Sequence, residues 1–388
     1  MIIPSEKLSG IKPYYFLNLQ HKIDALQASG KRIIRLDIGS PDLPPPPQVL
    51  DCLIDTIKQS DSHGYTSTIG PLYYREAVAN YYQKRFNVSL NPENEISPLL
   101  GSKEAIINLH QVLVNPGDTV LIPNPGYPSY AFGAKYAGAN VLQYDLTAEL
   151  DFSLDLQKIR DAAVNTIKLV WLNFPNNPTG SIVQSEVLEE LVHLAIKHQF
   201  ILIHDAPYTD IYYDHHKPPS ILSIPGAKKV AVEINSLSKT YHMAGWRIGM
   251  ICGNRDVISA LQTLKSKVDN STAIPIFRAA SQALRMDDTW ITERNQIIKK
   301  RRDLWVEYLN KISPRFTPAI AGFYLWAQIP PSFNSDIEFC DAALNETGVS
   351  MTPGSIYGSN GINYFRISLC QPEEVLLQAI QNLQAWNL

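Results

Sequence analysis

Lys239 stands in Ser236-Leu-Ser-Lys-Thr-Tyr-His-Met-Ala-Gly-Trp-Arg-Ile-Gly, directly after an expected strand, Val230–Asn235. Hydroxyls flank it at Ser236 and Ser238, and Arg247 follows eight residues later. Schiff-base chemistry on a phosphorylated aldehyde needs such a set. The amine attacks the carbonyl, while hydroxyls and a guanidinium hold the phosphate dianion. A surface loop with an ordinary lysine is the plain alternative for Ser-x-Ser-Lys alone. Gly245 and Gly249, at fixed offsets from Arg247, count against it.

Three more segments offer complementary chemistry. In Asn173-Phe-Pro-Asn-Asn-Pro-Thr-Gly, two prolines and a glycine force a sharp turn that a cis proline would suit. A plain loop explains the prolines but not the placing of Asn177 at a strand end. Asp205, with Tyr208 three residues on, can pair with a pyridinium nitrogen and keep it protonated, making the ring an electron sink. Capping of a following helix is the alternative for Asp205. Gly101-Ser-Lys-Glu-Ala opens a helix whose free amides attract phosphate, unless Ser102 only caps it. No Walker spacing and no Gly-x-Gly-x-x-Gly occurs.

These residues matter because of the elements that carry them. Strands are expected at Asp118–Pro123, Lys168–Asn173, Phe200–His204 and Val230–Asn235, and helices at Ala105–Val114 and Ser185–His198. Such alternation predicts a mainly parallel α/β sheet in a large domain, residues 48–285. Ligands on such sheets bind beyond the carboxyl ends of the strands, where these loops lie. Residues 286–388 read as a smaller α+β domain. It opens with the charged helix Arg294–Lys311 and has short strands in 321–326 and 364–368. Residues 1–47 join it, with a helix over Tyr15–Ser29 ended by Gly30, then the stiff connector Pro44–Pro47.

Composition sets the bounds. The chain has 388 residues, 45% of them hydrophobic, enough for a large core and more than one domain. A net charge of -3 gives no reason to expect nucleic acid or an anionic membrane as partner. Cys52, Cys252, Cys340 and Cys370 lie too far apart for a zinc or redox motif, so no metal is expected and a cytoplasmic setting fits. The start lacks the pattern of a signal peptide, and no apolar run spans a bilayer.

The sequence resembles the class I and II aminotransferases of pyridoxal phosphate (PLP) fold type I. Ser236-Leu-Ser-Lys239…Gly245-Trp-Arg247-Ile-Gly249 matches the family's lysine signature. The other matches run in the family's order: Gly39-Ser-Pro-Asp, Tyr65…Gly70…Arg75-Glu, Gly101-Ser-Lys-Glu-Ala, Asn124-Pro-Gly-Tyr127-Pro-Ser-Tyr, Asn177-Pro-Thr-Gly, Asp205…Tyr208, Pro353-Gly…Gly358 and Phe365-Arg366-Ile-Ser. The resemblance implies a three-layer α/β fold and PLP as cofactor. Lys239 would carry PLP and shuttle the proton at Cα. Asp205 would meet the ring nitrogen, and Asn177 and Tyr208 the phenolic oxygen. Tyr127 would stack on the ring unless it is an ordinary core tyrosine. Ser102, Ser236 and Arg247 would hold the phosphate, helped by Tyr65 from a partner subunit, which implies a homodimer with shared sites. Arg366 would grip the α-carboxylate in a bidentate pair near the Gly39 backbone. The reaction implied is ping-pong transfer of an amino group from an amino acid to a 2-oxo acid.

Within the family, the chain looks most like the LL-diaminopimelate aminotransferases, through Lys12-Pro-Tyr14-Tyr-Phe, Val114-Asn-Pro-Gly-Asp, Asn124-Pro-Gly-Tyr-Pro and Ser236-Leu-Ser-Lys-Thr-Tyr. Tyr14 would enter the partner's substrate pocket. Lys103 matches a position where some aspartate aminotransferases bind the distal carboxylate, or it is a surface lysine at a helix start. One departure stands out. Diaminopimelate enzymes usually carry a glutamate shortly before the glycine here numbered Gly70, and this chain reads Tyr65-Thr-Ser-Thr-Ile-Gly. The expectation is an acidic or diaminopimelate-like donor with 2-oxoglutarate as acceptor. The alternatives are another donor (alanine, aromatic or N-succinyl-diaminopimelate) or a PLP lyase on the same fold.

Overall fold

The computed structural model describes residues 5–8, 15–163 and 167–386. In chain order its strands are β1 (Ile34–Arg35), β2 (Ile96–Leu99), β3 (Thr119–Asn124), β4 (Asn140–Asp145), β5 (Ile167–Leu172), β6 (Ile201–Asp205), β7 (Ala231–Ser236), β8 (Gly249–Gly253), β9 (Tyr324–Gln328), β10 (Val349–Ser350), β11 (Thr352–Pro353) and β12 (Tyr364–Ser368). Strands β2 to β8 form one sheet in the order β2-β8-β7-β6-β5-β3-β4. Only β8 runs against its neighbours. The central strands β5, β6 and β7 are buried along nearly their whole length rather than at alternate residues. A parallel sheet covered on both faces has that pattern.

Alternate residues of those strands feed two separate cores. On one face Val120, Leu169, Ile203 and Val232 pack with the helices Ser102–Leu113, Ser129–Tyr136 and Arg255–Val268. On the other Leu121, Val170, Leu202 and Ala231 meet the helices Leu72–Phe86, Ser185–His198 and Ile274–Arg285. The result is three layers, helix on sheet on helix.

A third core joins the antiparallel sheet β11-β12-β9 to the helices Asp336–Thr347 and Glu373–Ala385. The helix Thr289–Ile312 ties the regions together. It gives Ile291 to a core of the large sheet and Ile298, Trp305 and Leu309 to the third core. This helix starts five residues before the expected Arg294, because Asp287 accepts the Thr289 amide at 3.0 Å and opens it there. The strand expected over 321–326 is displaced to β9. Gly322 sits at φ +80° and gives its amide to the Ile211 carbonyl, so pairing begins only beyond it.

Candidate active site

The loops leaving β3, β5, β6 and β7 at their carboxyl ends meet over a cavity of about 440 Å³, which β9 and β12 close from the other side. Lys239 lies in the one-turn helix Leu237–Thr240 right after β7, and its Nζ donates to the Gly39 carbonyl. Asp205 is the last residue of β6 and is buried. No helix follows it, so the capping role falls away. Its Oδ2 accepts from the Tyr130 hydroxyl at 2.7 Å, while Oδ1 is buried without a partner. Burial pushes the carboxyl up to about 6, against the downward pull of Tyr130 and His204.

The Asn173–Gly180 turn after β5 contains a cis Phe174–Pro175 bond. Asn173 bridges it to β6. Its side chain donates to the Asp205 carbonyl at 2.8 Å and accepts from the Asn177 amide at 2.9 Å. His204 holds the Phe174 carbonyl at 2.9 Å from below. Asn177 is thereby fixed so that its Oδ1 accepts from Arg366 Nη1 at 2.9 Å. Arg366 projects from β12, buried, with Nη2 on the Asp37 carbonyl at 2.5 Å and its guanidinium 4.1 Å from the Tyr324 ring centroid. The Tyr208 hydroxyl meets that of Tyr324 at 3.1 Å, and burial raises the Tyr208 phenol well above its ordinary value.

Gly101, Ser236 and Gly249 bring their backbones together at one end of the cavity. Arg247, itself at φ +55°, bonds the carbonyls of Ala244 at 2.8 Å and Leu100 at 3.0 Å. Gly101 has φ +82°, and a Cβ there would lie 2.1 Å from Arg247 Nη2. Gly101, not Ser102, is the cap residue of the helix Ser102–Leu113, so Ser102 stands inside its first turn, where it lines the cavity. Ser236 accepts the Ser238 amide at 3.2 Å. Tyr127 lines the cavity half-buried, with Lys103 Nζ 6.0 Å from its ring centroid.

Tyr65 is outside this convergence, 92% exposed, and Tyr14 lies outside the described residues. Five polar lining residues had no role from the sequence alone: Asp37, Tyr130, Asn173, Tyr324 and Tyr357. Tyr130 carried a signal, since one helical turn after Tyr127 puts it on the same side. Asn173 did too, as the first residue beyond a strand. Tyr324 shares a sheet face with Arg366 only through the register Trp326↔Arg366, which sequence does not display.

These features suit pyridoxal phosphate part by part. Lys239 offers an amine to the aldehyde, the orphaned Asp205 Oδ1 an acceptor to the ring nitrogen, and the Gly101–Arg247 cradle a seat for the phosphate. Among the described residues, no cluster of His, Cys, Asp or Glu is placed to hold a metal ion, and no helix is long and apolar enough to cross a membrane.

Known proteins resemble this chain in sequence and fold. The sequence profile described as aminotransferase class I and II matches residues 31–383. An LL-diaminopimelate aminotransferase of Dehalococcoides mccartyi is 39% identical over 383 residues, spanning 99% of this chain and 98% of the relative. The substrate-bound structure of BacF from Bacillus subtilis superimposes with a TM-score of 0.95 at 34% identity, covering 100% of this chain and 98% of that one. An aspartate aminotransferase mutant of Thermus thermophilus gives a TM-score of 0.93 at 27% identity, with 99% and 100% covered. Profile, relatives and fold thus converge on the reading that Lys239 and its neighbours gave, and the chain belongs to the class I and II aminotransferases, PLP-dependent enzymes of fold type I.

Proposed function

We propose that this aminotransferase moves the amino group of an acidic or diaminopimelate-like amino acid to 2-oxoglutarate, in ping-pong fashion, as a homodimer. The lining charge carries this reading. Among the described residues its carboxylates are Asp205 at the base and Asp37, whose two oxygens Arg35 closes at 2.8 Å each. Besides Lys239 and Arg247, which we assign to the cofactor, positive charge comes from Lys103 beside Tyr127 and from Arg366. A substrate with a carboxylate at each end fits that distribution, and a lone distal ammonium does not. The relatives named LL-diaminopimelate aminotransferases point the same way, because diaminopimelate carries a distal carboxylate beside its distal ammonium. The missing acid in Thr66–Ile69 leaves that ammonium to another acceptor.

Bound PLP supplies an electron sink conjugated to the substrate Cα. Lys239 Nζ takes the α-proton and returns it on the far side of the reaction. Asp205 Oδ1 would hold positive charge at the ring nitrogen, and Asn177 and Tyr208 would bond the phenolic oxygen. Tyr127 would stack on the ring. Ser102, Ser236 and Arg247 would seat the phosphate. Arg366, oriented by Asn177, grips the α-carboxylate near Gly39. The exposed Tyr65 is free to serve a partner's phosphate, and Tyr14, outside the described residues, would serve the partner's substrate pocket. We read residues 48–285 as the cofactor-binding domain, with 1–47 and 286–388 as the smaller domain. The four free cysteines suit the cytoplasm.

A panel of amino donors with 2-oxoglutarate tests this. Aspartate, glutamate or LL-diaminopimelate should exceed phenylalanine and leucine at least about tenfold in kcat/KM, and a preference for aromatic or branched donors overturns it. Lys103→Ala should raise KM for dicarboxylic donors by roughly tenfold while leaving alanine turnover nearly unchanged. Gly101→Ala should weaken PLP binding to the apoprotein by about tenfold, read by fluorescence titration. A Cβ at φ +82° is strained, and Arg247 must leave its position to make room.

A further inference from the structure

We infer that Tyr130 is a positioning residue for Asp205, taking one carboxylate oxygen so that the other stays turned toward the cofactor's ring nitrogen. The inference rests on the assignment of Asp205 to that nitrogen. The division of the carboxylate is visible in its bonds. Oδ2 accepts from the Tyr130 hydroxyl at 2.7 Å, and Oδ1 is buried with no partner. One bond to one oxygen fixes the torsion of the carboxylate, and a flat ring nitrogen needs its acceptor in the ring plane.

Tyr130 can do this only if it is itself held. Its ring is buried and stacks on Trp171 with centroids 4.9 Å apart and planes at 21°. Tyr127, which faces the cavity, meets its edge at 5.9 Å. Trp171 is anchored in turn, because its Nε1 donates to His110 Nε2 at 3.1 Å. An accepting Nε2 puts the His110 hydrogen on Nδ1, which donates to the Ile106 carbonyl at 2.6 Å. Burial holds His110 down to about 4, so the imidazole is neutral and this pattern persists at neutral pH. Gly133 makes room for it, since a Cβ there would sit 2.5 Å from His110 Nδ1. The chain from Ile106 to Asp205 therefore leaves Tyr130 a single orientation.

The bond also acts electrically. Three groups bear on the Asp205 charge: Tyr130 from the helix Ser129–Tyr136, His204 from its own strand and Tyr208 from the following turn. A hydroxyl donating to the carboxylate favours its ionised form against the effect of burial. An ionised Asp205 would hold positive charge at the ring nitrogen, and that charge would bear on the pH at which the bound cofactor's visible band changes.

Tyr130→Phe keeps the stacking and deletes only the donor. Tyr144→Phe is the control, because its buried hydroxyl donates to the Trp171 carbonyl at 2.8 Å and does not line the cavity. Apoproteins are titrated with PLP, and the visible band of each loaded protein is followed against pH. Tyr130→Phe should bind PLP about tenfold more weakly and move the band's midpoint upward. Tyr144→Phe should lower the melting temperature and leave both readings alone. If Tyr130→Phe matches the wild type while Asp205→Asn changes affinity and midpoint, the positioning role is overturned. It is equally overturned if Tyr144→Phe shifts both readings as far as Tyr130→Phe does, since packing then explains them. Should Asp205→Asn itself change neither, the placing of Asp205 on the ring nitrogen falls, and the inference with it.

Discussion

Lys239→Ala is expected to lower transamination by on the order of 10⁴-fold or more, whatever the donor. The lysine is asked to do two things, to hold the cofactor through its amine and to carry the α-proton, and a general base alone contributes roughly 10²–10⁴-fold. Lys239→Arg should fail nearly as badly. A guanidinium keeps the charge but offers no free amine and does not release a proton near neutral pH. The fold should survive either change. Among the described residues Lys239 Nζ bonds the Gly39 carbonyl, and that bond lies at a cavity wall rather than in a core. Melting temperatures of the apoproteins within a few degrees of wild type would show this. The chemical loss is read in a single turnover, where wild-type protein mixed with donor loses its visible band as the 2-oxo acid forms and neither variant forms the 2-oxo acid at a comparable rate. Turnover by Lys239→Ala above a few per cent of wild type would remove the lysine from the centre of the chemistry.

The large sheet and the lysine loop were legible because both depend on local pattern. Strands β5, β6 and β7 are short segments buried almost throughout, and a polar residue stands at or just past the end of each, where the sheet's geometry turns it toward ligand: Asn173, Asp205, Ser236. Strand β4 was not legible. It lies at the sheet's edge, mostly exposed, and its Asn-Val-Leu-Gln-Tyr-Asp shows no continuous apolar run. Strand β2 hides for another reason. Pro98 interrupts its pattern, which an edge strand tolerates because the missing N–H faces no neighbour. The candidate site divides along the same line. Residues that follow a strand announce themselves, whereas Tyr324 depends on the register of β9 with β12, a pairing of segments about forty residues apart. Asp37 was hidden by its own partner. Arg35, two residues away, closes both its oxygens, so a carboxylate lining the cavity brings little charge to it.

That distribution of charge leads to the second large effect. Arg366→Lys is expected to lower kcat/KM by on the order of 10²-fold for every amino acid and every 2-oxo acid, mostly through KM. The guanidinium is held flat on Tyr324 at 4.1 Å and at its two ends by Asn177 Oδ1 and the Asp37 carbonyl. Its Nε is buried without a partner. Such a group is already oriented, and already desolvated, for a planar carboxylate. An ammonium on a flexible stem cannot span the 2.9 and 2.5 Å contacts together, and it loses the stacking. Arg366→Ala would be a poorer test, because it strands buried acceptors on Asn177 and Asp37 at a cost of about 1–3 kcal/mol each. The pattern across substrates separates this arginine from Lys103. Arg366 meets the α-carboxylate that all substrates share, so alanine should suffer as much as aspartate in Arg366→Lys. Lys103→Ala should penalise aspartate and glutamate and spare alanine. Retention of PLP by Arg366→Lys, seen as an intact visible band, would place its loss in substrate binding. A loss confined to dicarboxylic substrates in Arg366→Lys would instead put the distal carboxylate, not the α-carboxylate, on Arg366 and reverse the orientation of substrate in the cavity.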